Sequence, residues 1–151
     1  MANGTWNDYL LLLGKVTKAL EQLTEVEKTK TNAVTAGDLA TVEQCMKQEQ
    51  VASLNLRGLD QKREKLLDQL GMKGVPLRNI MDHCPPEAWE ETEQIADALR
   101  RQYAVFQAAS EVSRNALEIN LHNIETIQKR VNGGEIIPPE DAPRKKADFR
   151  A

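Results

Sequence analysis

The sequence predicts an all-α protein: an elongated antiparallel three-helix bundle, in which a coiled-coil-like hairpin is joined by a longer third helix and followed by a disordered C-terminal tail. Three observations lead there. Aromatic residues make up only 4% of the 151-residue chain while 40% is hydrophobic, so Leu, Ala, Val and Ile must fill the core, as they do in the narrow seams between long helices. No proline occurs before Pro76 or between Pro86 and Pro138, which leaves two long stretches free to be helical. Finally, Trp6, Tyr9, Leu13, Val16, Leu20 and Leu23 follow one another at steps of 3, 4, 3, 4 and 3, the period of a coiled-coil seam.

The first helix begins at that seam. Continuing its register brings Glu27 and Lys30 before Val34, so the seam either weakens toward the helix end or moves to Val26 and Ala33. The break falls at Ala36-Gly37-Asp38-Leu39, where Gly37 can adopt the left-handed closing conformation and Asp38 can cap the next helix. The second helix carries Leu39, Val42, Met46, Leu56, Leu59, Leu66, Leu67 and Leu70 in a looser pattern and ends at Gly71. Gly58 within it either permits a close helix contact or is merely tolerated. Residues 71–86, with two glycines and three prolines, form a connector with one helical turn at Leu77 to Asp82. Pro86, Glu87, Glu90 and Glu91 then suit the start of the third helix.

The third apolar stripe runs through Trp89, Ile95, Leu99, Tyr103, Phe106, Leu117, Leu121, Ile124, Ile127 and Val131. That predicts a helix of about 45 residues, about 65–70 Å long, against about 45 Å for each of the other two, so the third should outrun its partners or bend. Ser110, Ser113 and Asn120 fall on or beside the stripe and make the seam mixed. Residues 1–132 are thus expected to form one helical domain and 133–151 a flexible tail, which holds Arg144, Lys145, Lys146 and Arg150 against Asp148 near its end.

Composition also narrows the function. A net charge of −3 lacks the basic field that nucleic-acid binding requires, so no nucleic-acid partner is expected. The longest purely apolar run, Leu10 to Leu13, is far short of a membrane span, and no basic segment precedes it as in a signal peptide. With two cysteines, Cys45 and Cys84, and no disulfide framework, the expected location is cytoplasmic. Catalysis finds no candidate residues. His83 and Cys84 adjoin one another and His122 lies far downstream, which is not the spacing of a metal site, so neither metal nor cofactor is expected. Gly71-Met72-Lys73-Gly74 is too short for a phosphate loop, and Glu90 and Glu91 read as charges at a helix start rather than an acid–base pair.

The order of these parts carries a resemblance. The leucine-rich first helix, the Ala36-Gly37-Asp38-Leu39 turn, the Gln/Glu-rich second helix ending in Leu70-Gly71, the proline-bearing connector and the string Asn115-Ala116-Leu117-Glu118-Ile119-Asn120-Leu121 together resemble the FlgN family of flagellar export chaperones, over about residues 5–131. The resemblance implies a small cytoplasmic, non-enzymatic chaperone that binds the C-terminal helical segment of hook-associated proteins and delivers them to the flagellar type III export apparatus. It places the client surface on Asn115, Leu117, Asn120, Leu121, Ile124, Ile127 and Val131. Aromatic residues are scarce there, with Tyr103 and Phe106 at the edge. The alternative is a homodimeric coiled-coil adaptor that uses the same seams without a chaperone role.

Overall fold

A computed structural model of the chain describes residues 4–120, 125 and 129–131. Within them the protein is all-α, with long helices packed together and no strand. The helices are α1 (Trp6–Ala36), α2 (Leu39–Gln69) and α3 (Trp89–Ile119), each of 31 residues. Short 3-10 helices at Leu77–His83 and Pro86–Ala88 occupy the connector, so the single turn expected there is extended by one residue and joined by a second.

Each boundary has a local cause. Thr5 opens α1: its hydroxyl accepts from the Asp8 N–H at 3.2 Å, while the Asp8 carboxylate accepts from the Thr5 N–H at 3.0 Å, a reciprocal capping box. At the other end of α1 the Asp38 N–H reaches the Ala33 carbonyl and the Gly37 N–H the Val34 carbonyl, a Schellman closure that needs the positive φ of 72° at Gly37. Asp38 immediately caps α2 by accepting from the Thr41 N–H and, at 2.6 Å, from the Thr41 hydroxyl. The Thr41 hydroxyl first, and its backbone N–H second, hold the Asp38 carboxyl below its usual range. α2 closes by the same Schellman pattern around Gly71, with Met72 bonding Leu67 and Gly71 bonding Asp68. A side chain at Gly58 would meet nothing within 4 Å, so that glycine marks no close contact.

The chain divides into two compact units, and α1, α2 and α3 each contribute to both. Among the described residues the first comprises 4–20 with Leu54–Ala104, and the second Glu21–Ser53 with those from Val105 to Val131. In the first unit the buried set is apolar: Tyr9, Leu13, Val16 and Leu20 of α1, Leu56, Leu59 and Leu67 of α2, Leu77 and Ile80 of the connector, and Ala96 and Leu99 of α3. One buried polar group there has two donors. The Thr92 hydroxyl, fully buried, accepts from Trp6 Nε1 at 2.9 Å and from the Cys84 thiol at 3.3 Å. Trp6 also packs against Tyr9, ring centroids 5.5 Å apart and planes tilted by 47°, and Arg63, paired with Asp60, lies against the Tyr9 hydroxyl. Burial pushes the Tyr9 phenol up, and the Arg63 charge opposes it.

The second unit has a smaller apolar center. Ala33, Val34 and Val42 are its buried cluster, with Leu39, Met46, Ala116, Leu117 and Val131 packed half-buried around it. Thr24, Glu27, Lys30 and Ser113 share the interior. The α1 seam therefore neither weakens nor moves: Glu27 and Lys30 remain in register at 5% and 7% exposure, between buried Leu23 and Val34. The loose pattern of α2 likewise resolves into a regular seam of Val42, Cys45, Glu49, Ala52, Leu56, Leu59, Arg63, Leu66 and Leu70, two of whose members are charged.

α3 departs from expectation in length. It stops at Ile119, where the Asn120 N–H is shared between the Ala116 and Leu117 carbonyls and the Asn120 side chain donates to the Ala116 carbonyl at 2.8 Å. This tightens the last turn and satisfies a carbonyl that a continuing helix would have bonded. Glu125 and Lys129–Val131 are again helical. The expected tail, 133–151, lies outside the described residues. Trp89, placed on the apolar stripe by its spacing, is half-exposed at the start of α3.

Candidate functional site

The inward face of α3 is a seam of Thr92, Ala96, Leu99, Tyr103, Phe106, Ser110, Ser113, Leu117 and Asn120, at alternating steps of 4 and 3, all buried or half-buried. Ser110, Ser113 and Asn120 are thus members of the seam rather than neighbours of it. The Ser113 hydroxyl is buried with no hydrogen-bond partner among the described residues.

The opposite face of α3 in the second unit is different. Val105, Val112 and Ile119 stand 46%, 56% and 83% exposed at intervals of seven residues, with exposed Ala108 and Asn115 between them. Together these five positions repeat the 3,4 spacing of a coiled-coil seam along about 21 Å of helix, and no described residue packs over them. Three large apolar side chains on one line of a helix face are the kind of patch that marks an interaction surface.

The residues expected to bind a client fall in three places. Asn115 lies on this outward face. Leu117 and Val131 pack against the Ala33–Val34–Val42 cluster, and Asn120 closes its own helix, so these three belong to the interior of the second unit. Leu121, Ile124 and Ile127 lie outside the described residues. An ion pair between Arg130 and Glu43 ties the segment carrying Val131 to α2. Sequence reasoning missed Val105, Ala108, Val112 and Ile119 because it assigned one apolar stripe to the helix. The signal was present as a second set of positions with the same spacing on the other side.

The second unit also holds the fully buried charges among the described residues. Lys30 Nζ lies 2.6 Å from Glu49 Oε2 and 3.2 Å from Glu27 Oε2, so one ammonium faces two carboxyls. Burial raises the Glu49 carboxyl to about 8, the hydrogen bond with Glu27 adds to the rise, and Lys30 opposes it. Burial, and after it the Glu49 carboxylate, also push the adjacent Cys45 thiol up. This arrangement has no approach for a substrate, and a buried thiol with a raised pKa is a poor nucleophile. Among the described residues no three His, Cys, Asp or Glu side chains are grouped to hold a metal ion, and no helix is long and apolar enough to cross a membrane.

The fold and this surface define a class: an all-α protein of long packed helices with an uncovered apolar face on α3. No family model matches the chain, and no curated protein and no solved structure is significantly similar to it.

Proposed function

We propose that the protein is a non-enzymatic cytoplasmic chaperone of the flagellar export type. It holds an amphipathic helical segment of a hook-associated protein and releases it, without chemistry, to the type III export apparatus. The observation that carries this reading is the exposed line Val105, Val112 and Ile119. A helix laid along it would bury a heptad stripe on each partner, the helix-in-groove mode of recognition. Such a client segment, if left uncovered before assembly, would offer the same stripe to other copies of itself. The client surface in this proposal is the outward face of α3, with Asn115 retained from the family resemblance.

The test is binding of C-terminal segments of hook-associated proteins by titration calorimetry. Val112→Asp with Ile119→Asp should weaken binding by at least about 10-fold, since each buries a charge in the contact. Both residues are exposed, so circular dichroism should show the fold intact. Undiminished binding in that folded variant would remove this surface from the proposal. A second reading, the homodimeric adaptor, draws on Asn115: a single polar residue in an apolar seam can set the register of a self-paired coil. That reading expects a mass that rises with concentration in sedimentation and falls to the monomer in the same double variant.

A further inference from the structure

The first unit carries a different surface, far from neutral. Between α1 and α2 runs a groove of about 410 Å³ whose floor is Leu11, Leu12 and Leu66 and whose edges carry Lys15 on one helix and Lys62 and Lys65 on the other. The lining residues recur at steps of 3 and 4 on both helices, so the groove follows the helix pair for two turns. Leu12 is buried and Leu66 half-buried, whereas Leu11 is 60% exposed, which leaves an apolar floor open to a ligand. Among the described residues none of the three ammonium groups has a carboxylate partner. The one acidic residue in the groove, Asp8, is already engaged with the Thr5 N–H, and the Gln69 carbonyl at the same end accepts from the Gly4 N–H at 3.0 Å. The polar groups at that end are used, and the cations are not.

We propose that this groove is a docking site for an acidic amphipathic helix of a partner protein, distinct from the outward face of α3. The partner's apolar residues, at helical spacing, pack between Leu11 and Leu66. Its Asp and Glu residues, flanking that stripe on both sides, meet Lys15 across from Lys62 and Lys65. Two antiparallel helices with a concave seam accept a third helix as the natural filler of the space. Cations on both rims, with an apolar floor between, select for negative charge on both flanks of the incoming stripe. A flat anionic membrane fits less well, because Leu12 and Leu66 are recessed between the helices and the lysines do not surround a protruding apolar face. Exposed ion pairs of this kind contribute selectivity and speed of encounter more than affinity.

The probe is an acetylated, amidated helical peptide of about two heptads with Leu at the seam positions and Glu at every flanking position, compared with its Lys-flanked counterpart. Titrated into the full chain, the Glu peptide should bind and shift the methyl resonances of Leu11, Leu12 and Leu66, and the Lys peptide should bind at least about 10-fold more weakly. Lys15→Glu with Lys62→Glu and Lys65→Glu, all at exposed positions, should reverse the preference while leaving circular dichroism unchanged. Raising the ionic strength to about 0.5 M should weaken the Glu peptide several-fold. Val112→Asp with Ile119→Asp should leave this binding unchanged, which separates its outcome from that of the client surface. Equal binding of the two peptides, shifts confined to α3, no effect of the triple charge reversal, or binding to phosphatidylglycerol vesicles in place of the Glu peptide would each overturn the proposal.

Discussion

The two units are built from the same three helices and differ in what they put inside. In the first, the α1 seam is Tyr9, Leu13, Val16 and Leu20, and the buried hydroxyl of Thr92 has both Trp6 and Cys84 as donors. In the second, the same seam continues as Glu27 and Lys30, faces Glu49 and Cys45 of α2, and shares its interior with a Ser113 hydroxyl that has no partner among the described residues. Heptad spacing is preserved throughout, so the difference lies in side-chain chemistry and not in geometry. Replacing an apolar pair by a buried ion pair rarely adds stability, because desolvating the charges offsets most of their attraction. What the charges do provide is a penalty for misalignment, since a slip of α1 against α2 would strand Lys30 away from Glu49. The first unit is accordingly the anchored part of the molecule, and the second is the part whose α3 face is left open.

The largest effect should come from breaking the ion trio. Lys30→Met leaves two buried carboxyls facing one another without a cation, and we expect a loss of about 4 kcal/mol at neutral pH in urea unfolding. Replacing Glu27, Lys30 and Glu49 together by Leu, Met and Leu should be neutral or stabilizing. If the triple variant proves as unstable as Lys30→Met, the trio stabilizes the second unit outright and the contrast drawn above fails. Leu13→Ala comes next, at about 3 kcal/mol, because it opens a cavity in the apolar seam of the first unit. Amide exchange should show faster opening there, with a smaller change in amides of 21–36.

A pH effect should be smaller and confined to the second unit. The Glu49 carboxyl is raised from 4.5 to about 8 in the folded protein, so the folded state holds its proton more tightly than the unfolded chain does. Its contribution is therefore fully present below about pH 4.5 and is lost as the pH rises to about 8. Stability should fall between about pH 5 and pH 8, opposite to the trend of an ordinary ion-paired carboxylate, and Glu49→Gln should flatten the curve. A Glu49→Gln profile that tracks the parent protein would show that another group titrates. The smallest change is Asp38→Ala, which removes the cap shared by the turn and α2 at a cost of about 1 kcal/mol and should leave both units folded.

Much of this was legible in the residues. Gly37 and Asp38, and Gly71, mark the ends and starts of helices through backbone rules that act within a few residues, and the structure places the boundaries there, whereas Pro86 opens a short 3-10 turn and α3 begins only at Trp89. The Thr5–Asp8 capping box was equally local and was overlooked in favour of the apolar run behind it. The candidate surface was less legible. Leu117 and Val131 look like available apolar residues in sequence, yet they pack on Ala33, Val34 and Val42, while Val112 and Ile119, no more apolar, are left in the open. Periodicity shows that a face exists and does not say which of two faces another helix will cover.

By itself, then, the sequence determined the helical class, the glycine-closed ends of α1 and α2 and the heptad register that runs from Trp6 to Leu23. Those follow from nearest-neighbour physics: proline exclusion, glycine at positive φ, capping, and apolar spacing. Only the tertiary structure decided that Glu27 and Lys30 stay inside the seam and that α3 turns its Ser- and Asn-bearing face inward. The reason is that the contact completing this buried cluster arrives from another helix, Glu49, nineteen residues beyond Lys30. No local rule reaches that far along the chain.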